Sequence, residues 1–148
     1  MKRLVFLLVA ATGLSAGAPA PQDTHTVKIT VTNLRSADGV VLACMTQSDK
    51  SFPKCRGVPG TKAAKAAAHE GTLTLTFTGV KPGRYAIAVL HDENANGKAD
   101  RALGMMPKEG FGFSRDAPVR MGPPSFEDAV FDMAEEDRAM SIKMRYML

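Results

Sequence analysis

Residues 91–100, HDENANGKAD, hold the densest cluster of oxygen-bearing side chains in the sequence. Their order follows the D-x-N-x-N-G-x-x-D spacing of calcium-binding loops. A hard cation such as Ca²⁺ needs several oxygen ligands close together, and alternate acidic and amide residues on a tightly turning backbone supply them. The predicted calcium ligands are the side chains of Asp92, Asn94, Asn96 and Asp100 and the backbone carbonyl of Lys98.

The loop departs from an EF-hand at two points. The twelfth position counted from Asp92 is Leu103, where an EF-hand has a bidentate Glu, and the residues before the loop have the pattern of a strand. Glu109 could fold back to supply the missing carboxylate. The alternative interpretation is an Asx-rich turn, in which the side chains cap their own backbone without a cation.

His91 precedes the loop and has more than one candidate role. It could ligate a transition metal, although a single His beside hard oxygen ligands is more often a hydrogen-bonded residue at a strand end. In an enzymatic alternative, His91, Asp92 and Glu109 converge as acid, base or metal ligands of a periplasmic enzyme acting on a small or envelope-derived substrate. Local motifs add nothing to this alternative, since neither Ser114 nor Ser125 lies in a G-x-S-x-G setting.

A surface for a ligand or partner is predicted in and after the loop, where apolar side chains accompany several glycines. Its candidate residues are His91, Met105, Met106, Glu109, Phe111 and Phe113. A flat apolar patch would favour a partner, either an envelope or extracellular protein, whereas a cleft with His91 beside Glu109 would favour an enzyme or a small ligand. A purely structural role in an envelope complex is the third alternative.

The first 20 residues have the three-part layout of a secretory signal peptide. Lys2 and Arg3 precede an apolar run over residues 4–14, and small residues follow it. We expect cleavage between residues 16 and 20 and a periplasmic or secreted protein. The apolar run of about 11 residues is shorter than the roughly 20 that cross a bilayer, so we expect no membrane span in the mature chain.

The charge balance excludes a basic nucleic-acid-binding protein. Removing Lys2 and Arg3 leaves 17 of the 19 basic residues against 15 acidic ones, so the formal charge falls from +4 to +2. The basic cluster at residues 50–65 has one aromatic neighbour, Phe52, whereas nucleic-acid binding calls for clustered basic residues interleaved with stacking partners.

Cys44 and Cys55 are the only cysteines, and in an oxidising compartment such a pair commonly forms a disulfide. Ten residues separate them. That gap lacks the C-x-x-C closeness of redox and zinc sites, so we expect a structural disulfide.

Alternation of apolar and polar residues predicts an all-β fold. Residues 25–34 and 40–46 read as a hairpin, and 72–78 as a strand with exposed threonines. The strand over 85–90 is apolar on both faces and should be central, and 140–148 should close the sheet.

The segments between these strands are less regular. Residues 47–71 predict a long loop with one or two helical turns in the alanine-rich part. Residues 125–133 could form a short strand or a helical turn. Together the patterns predict one antiparallel β-sandwich domain over residues 24–148 with one long glycine-rich loop.

Three blocks in this order resemble an uncharacterised exported bacterial family, the domain of unknown function family 2141. They are PGRYAIAVLHDENANGKAD, GMMPKEGFGFS and GPPSFEDAVF. The resemblance implies an immunoglobulin-like or transthyretin-like β-sandwich. It implies no settled biochemical activity, so the role that we expect is that of an exported, non-catalytic domain with a calcium-stabilised loop.

Overall fold

The computed structural model describes residues 23–148. Its strands are β1 (His25–Leu34), β2 (Val40–Thr46), β3 (Lys62–Ala67), β4 (Gly71–Val80), β5 (Gly83–Asp92), β6 (Arg101–Ala102), β7 (Met106–Pro107), β8 (Gly110–Phe113), β9 (Phe131–Met133) and β10 (Arg138–Lys143). A 3₁₀ turn (Ser114–Asp116) and a one-turn helix, α1 (Phe126–Ala129), complete the elements. None of the helical elements within these residues is long and apolar enough to cross a membrane. The predicted signal peptide at residues 1–20 lies outside the described residues.

The first sheet has the strand order β10-β1-β4. Alternate residues of β1, namely Val27, Ile29 and Val31, are fully buried, as their spacing predicts. β1 runs antiparallel to β4 but parallel to β10. This one pair departs from the predicted antiparallel arrangement, because the chain passes through the second sheet before it returns to the free edge of β1.

The second sheet has the order β3-β2-β5-β8, and β9 pairs with the first residues of β5. Ile87 and Val89 of β5 belong to the main core, whereas Ala86 belongs to a second apolar cluster. This confirms that β5 is a central strand buried on both faces. Its last residue, Asp92, pairs with Val40 of β2, so the candidate loop begins at the end of a rigid strand.

The main core contains side chains from both sheets, including Ile29 and Phe77 from the first and Val41 and Ile87 from the second. This arrangement of two sheets around one core confirms the all-β sandwich. The immunoglobulin-like or transthyretin-like topology stays a prediction. The second cluster lies on the other face of β5, where the ring of Phe52 packs edge-on against Phe113 at 5.8 Å.

The expected disulfide joins Cys44 of β2 to Cys55, and both residues are buried. Val41, Ala43 and Met45 of β2 belong to the main core, so Cys44 points to the opposite face. The disulfide therefore fastens the segment after β2 to the face that carries Phe52.

Two local predictions are wrong for tertiary reasons. Residues 62–67 form strand β3, not helical turns, because pairing along β2 provides a ladder of hydrogen bonds and lets Ala64 and Ala66 pack on the core. β1 and β2 do not pair as a hairpin, since each joins a different sheet. Residues 125–133 contain both of the expected alternatives, α1 and then β9.

The glycine-rich segment after the loop contains more structure than expected. β6 and β7 form a two-strand hairpin, and β8 pairs with β5. Strand β8 needs its glycines, because a Cβ at Gly110 would overlap the ring of Tyr146 and one at Gly112 would lie 2.8 Å from Cγ2 of Ile142. The predicted closing strand ends at Lys143, and Arg145 then forms a single bridge with Phe111.

Candidate functional site

The carboxylate of Asp92 organises the loop that follows β5. Asp92 is fully buried. Its Oδ1 accepts a hydrogen bond from the backbone N–H of Asn96 at 3.1 Å, and its Oδ2 accepts one from Gly97 at 2.7 Å. Gly97 has φ +77°, a conformation that glycine adopts without strain. In this arrangement Asp92 caps the turn through both of its oxygens.

Asp100 gathers the two amide side chains of the loop. Its Oδ2 accepts hydrogen bonds from Nδ2 of Asn94 at 2.7 Å and from Nδ2 of Asn96 at 2.9 Å. Oδ1 of Asn96 accepts the backbone N–H of exposed Lys98 at 2.8 Å. The loop therefore has the contacts of the alternative interpretation, an Asx-rich turn. Within residues 23–148, no three His, Cys, Asp or Glu side chains are grouped so that they could hold a metal.

Glu109 lies beside this loop and is only 5% exposed. Its Oε2 accepts a hydrogen bond from the backbone N–H of Asp100 at 3.0 Å, and Oε1 has no hydrogen-bond partner among the described residues. The chain thus brings Glu109 back beside the loop, and its role as a calcium ligand stays a prediction.

Burial raises the pKa of the Glu109 carboxyl, and the charges of Asp92 and Asp100 raise it further. The backbone N–H groups of Asp100 and Glu93 oppose this rise, although neither forms a hydrogen bond with Oε1. Among the described residues of this site, Glu109 is the one whose side chain has a buried polar atom without a hydrogen-bond partner, and such an atom has unused capacity to bind a ligand.

His91 is fully buried, and both of its ring nitrogens are engaged. Nε2 lies 2.9 Å from the carbonyl oxygen of Asp38, which can only accept, so Nε2 carries the proton. Nδ1 lies 2.8 Å from the hydroxyl of Tyr146 and accepts from it. His91 therefore has no free nitrogen for a metal or a substrate proton, and the structure places it as a hydrogen-bonded residue at the end of a strand.

Arg35 and Glu93 were not predicted as site residues, and they line an open cleft of about 360 Å³ with Asp100 and Glu109. Nε and one terminal nitrogen of Arg35 donate to the two carboxylate oxygens of Glu93 at 2.9 and 2.5 Å. Arg35 also donates to the carbonyl oxygen of Lys108 at 3.1 Å. No local motif could reveal a pair whose members lie in different turns of the chain.

The six residues of the predicted ligand or partner surface separate in the structure. Met105 and Met106 are exposed, and Phe111 is half-buried. His91 and Glu109 are buried, as is Phe113, which is 6% exposed and packs in the second cluster. The pairing of β8 with β5 causes this separation, because it turns Phe113 onto the sheet face. The cleft that Glu109 lines does not include His91, and the ligand or partner role of these residues stays a prediction.

A different apolar surface lies at the tip of the β6–β7 hairpin. Leu103 is 94% exposed and Met105 81% exposed. The flanking strands pair Arg101 with Pro107 and Ala102 with Met106, so the two side chains stand at the turn.

A model of the family described as "Uncharacterized protein conserved in bacteria (DUF2141)" matches residues 29–141. No curated protein and no solved structure matches the chain.

Proposed function

The chain belongs to the family described as "Uncharacterized protein conserved in bacteria (DUF2141)", and from this membership and the geometry of its loop we propose an exported, non-catalytic domain with a calcium-stabilised loop. The observation that carries the proposal is the buried carboxyl of Glu109, whose Oε1 has no partner among the described residues. A cation would supply that partner and offset the cost of burying the charge.

Four side chains would hold the ion. Glu109 and Asp100 already lie together, because the N–H of Asp100 donates to Glu109. Asn94 and Asn96 reach Asp100 through their amide nitrogens, and rotation of these amides would present their oxygens instead. Asp92, a predicted ligand, would instead keep the turn in place through its bonds to the backbone, and the predicted carbonyl of Lys98 would complete the set.

Export is supported by the N-terminal pattern of a basic start, an apolar run and small residues. The Cys44–Cys55 disulfide is in keeping with an oxidising compartment. Fractionation of the producing cells, with the intact mass of the recovered protein, tests this part. We expect a periplasmic or secreted chain that has lost its first 16 to 20 residues, and a full-length chain in the cytoplasm would contradict it.

Thermal unfolding of chelator-stripped protein with added calcium tests the cation. We expect a higher melting temperature in millimolar calcium, since sites of this kind in extracellular modules have a Kd of about 10⁻⁴ to 10⁻³ M. At a calcium concentration near 100 times Kd, the gain in unfolding free energy is about 2.7 kcal/mol. No shift in the stripped wild type at several millimolar calcium would return the loop to an Asx-rich turn.

Glu109→Gln separates calcium binding from general damage to the loop. The glutamine carbonyl can still accept the N–H of Asp100, so the turn should persist. Without calcium the variant should be at least as stable as wild type at neutral pH, because a buried carboxylate has been removed. With calcium it should show no shift, whereas Glu136→Gln, at an exposed position, should behave like wild type.

The enzymatic alternative has no such observation in its favour. His91 has both nitrogens engaged and is buried, and it does not share a cleft with Glu109.

A further inference from the structure

The tip of the β6–β7 hairpin carries its most apolar side chains in the most exposed place. Leu103 and Met105 are 94% and 81% exposed, and Met106 on β7 is 40% exposed. Exposed apolar residues scattered singly are normal, but three within four positions on one protruding turn form a continuous apolar tip.

The exposed charged side chains along residues 94–108, which include this hairpin, have one sign. Over residues 94–108 the exposed charged side chains are Lys98, Arg101 and Lys108, and all are basic. The single acid in that range, Asp100, is half-buried and accepts hydrogen bonds from two amides. Of the neighbouring acids, Asp92 and Glu109 are buried, and half-buried Glu93 is paired with Arg35. The hairpin thus presents an apolar end with exposed basic side chains on both of its arms.

The hairpin is also anchored at its base. The N–H of Lys108 donates to the carbonyl of Asp100 at 3.0 Å. The N–H of Asp100 in turn donates to the carboxylate of Glu109. Because these bonds join its two arms at the base, the hairpin can insert its tip into another phase without separation of the arms.

We propose that this hairpin docks the protein on a lipid bilayer that carries anionic headgroups. Leu103 and Met105 enter the boundary between headgroups and acyl chains, and Lys98, Arg101 and Lys108 face the phosphates. Charge complementarity favours a membrane over a protein face. A bilayer has negative headgroups outside and an apolar layer beneath them, and the hairpin has basic residues on its arms and apolar residues at its tip. The docking goes beyond the calcium proposal and does not depend on it.

Vesicle binding tests the docking. The purified protein is mixed with vesicles of phosphatidylcholine alone and with vesicles containing phosphatidylglycerol, each with chelator and with calcium. We expect sedimentation with the anionic vesicles in both conditions, weakened by high salt. Equal binding to both vesicle types, or none to either, would overturn the proposal. If the protein binds anionic vesicles in chelator but calcium does not change its melting temperature, the docking proposal is supported and the calcium site is refuted.

Substitutions at the tip give the matched controls. Leu103→Ser with Met105→Ser should weaken binding to anionic vesicles about tenfold, and Arg101→Glu should weaken it while reducing its salt dependence. Met121→Ser is the control, because Met121 is fully exposed but follows the far end of β8. Wild-type binding by the double variant would overturn the proposal.

The chain contains no Trp, so a single introduced Trp reports on insertion. The emission of Leu103→Trp should shift to shorter wavelength when anionic vesicles are added, whereas that of Met121→Trp should not move. Photo-leucine in place of Leu103 should crosslink to lipid in cells. Crosslinking to a protein or to a second copy of the chain instead would overturn the membrane assignment.

Discussion

The hydroxyl of Tyr146 lies 2.8 Å from Nδ1 of His91 and joins the C-terminal segment to the end of β5. The same hydroxyl accepts the backbone N–H of Arg35 at 3.2 Å, and the Arg35 guanidinium lies 4.4 Å from the Tyr146 ring centroid. Three distant parts of the chain therefore meet at one side chain, which contacts the residue immediately before the candidate loop.

Tyr146→Phe should destabilise the protein by about 1 to 3 kcal/mol, because it leaves Nδ1 of buried His91 without its donor. Urea unfolding measures the loss. Nitrogen chemical shifts of the His91 ring in the wild type should show Nδ1 unprotonated and Nε2 protonated. The reverse tautomer, or an unchanged urea midpoint in the variant, would contradict the hydrogen-bond assignment.

Acid should weaken the contact between Arg35 and Glu93. The hydrogen bond from Arg35 lowers the pKa of Glu93 below its ordinary value of 4.5, and the hydroxyl of Ser36 adds to this. Because the folded pKa lies below the unfolded one, the pair stabilises the protein above about pH 4.5, and this contribution disappears as pH falls through the folded pKa.

Glu93→Gln should therefore lower the free energy of unfolding at pH 7, and the difference from wild type should disappear at the acid end of the pH range. The cost should stay at about 0.5 to 1 kcal/mol, since the Arg35 side chain is 37% exposed and solvent screens the pair. Unfolding curves from pH 3 to pH 7 provide the measurement. Glu127→Gln is the control, because the Arg84–Glu127 pair is far more exposed and should contribute little at any pH. Parallel pH profiles for wild type and Glu93→Gln would contradict the pairing.

Loss of the disulfide should lower stability without loss of the fold. Replacement of both Cys44 and Cys55 by Ala frees a loop with a sequence separation of 11 residues, which costs about 3 kcal/mol in the chain-entropy description. Urea unfolding measures the loss of stability, and far-ultraviolet circular dichroism tests whether the β fold is retained. Thiol labelling of native wild type should modify no cysteine before reduction, and two labelled thiols would refute the bond.

Gly39→Ala should damage the junction between β2 and the candidate loop. Gly39 has φ +68°, and an added Cβ would overlap the backbone carbonyl of Asp92. We expect a loss well above the roughly 1 to 2 kcal/mol that left-handed backbone costs an ordinary residue. Gly57→Ala is the matched control, because Gly57 has φ +73° with open space around it and should show only that strain. Similar melting temperatures for the two variants would contradict the close approach.

Sequence patterns predicted the elements whose identity depends on local periodicity. Val27, Ile29 and Val31 alternate with polar residues and are buried, and the apolar faces of β5 mark it as central. Strand β3 escaped prediction because alanine favours helix, and only the edge of β2 makes these residues a strand.

The candidate site was predicted in part for the same reason. Its turn can be read from the spacing of Asp92, Asn94 and Asn96, and the return of Glu109 was foreseen as an option. The burial of Glu109 and the contacts of Arg35 depend on which strands become neighbours. No pattern within a short window contains that information.

The parallel pairing of β1 with β10 affects the order in which the chain can fold. β1 lies between β4 and β10, and β10 begins only at Arg138. A growing chain that has emerged up to residue 137 already contains β1 and β4, yet one edge of β1 still has unpaired backbone groups. The first sheet therefore closes only when nearly the whole polypeptide is present, so an N-terminal fragment cannot complete it.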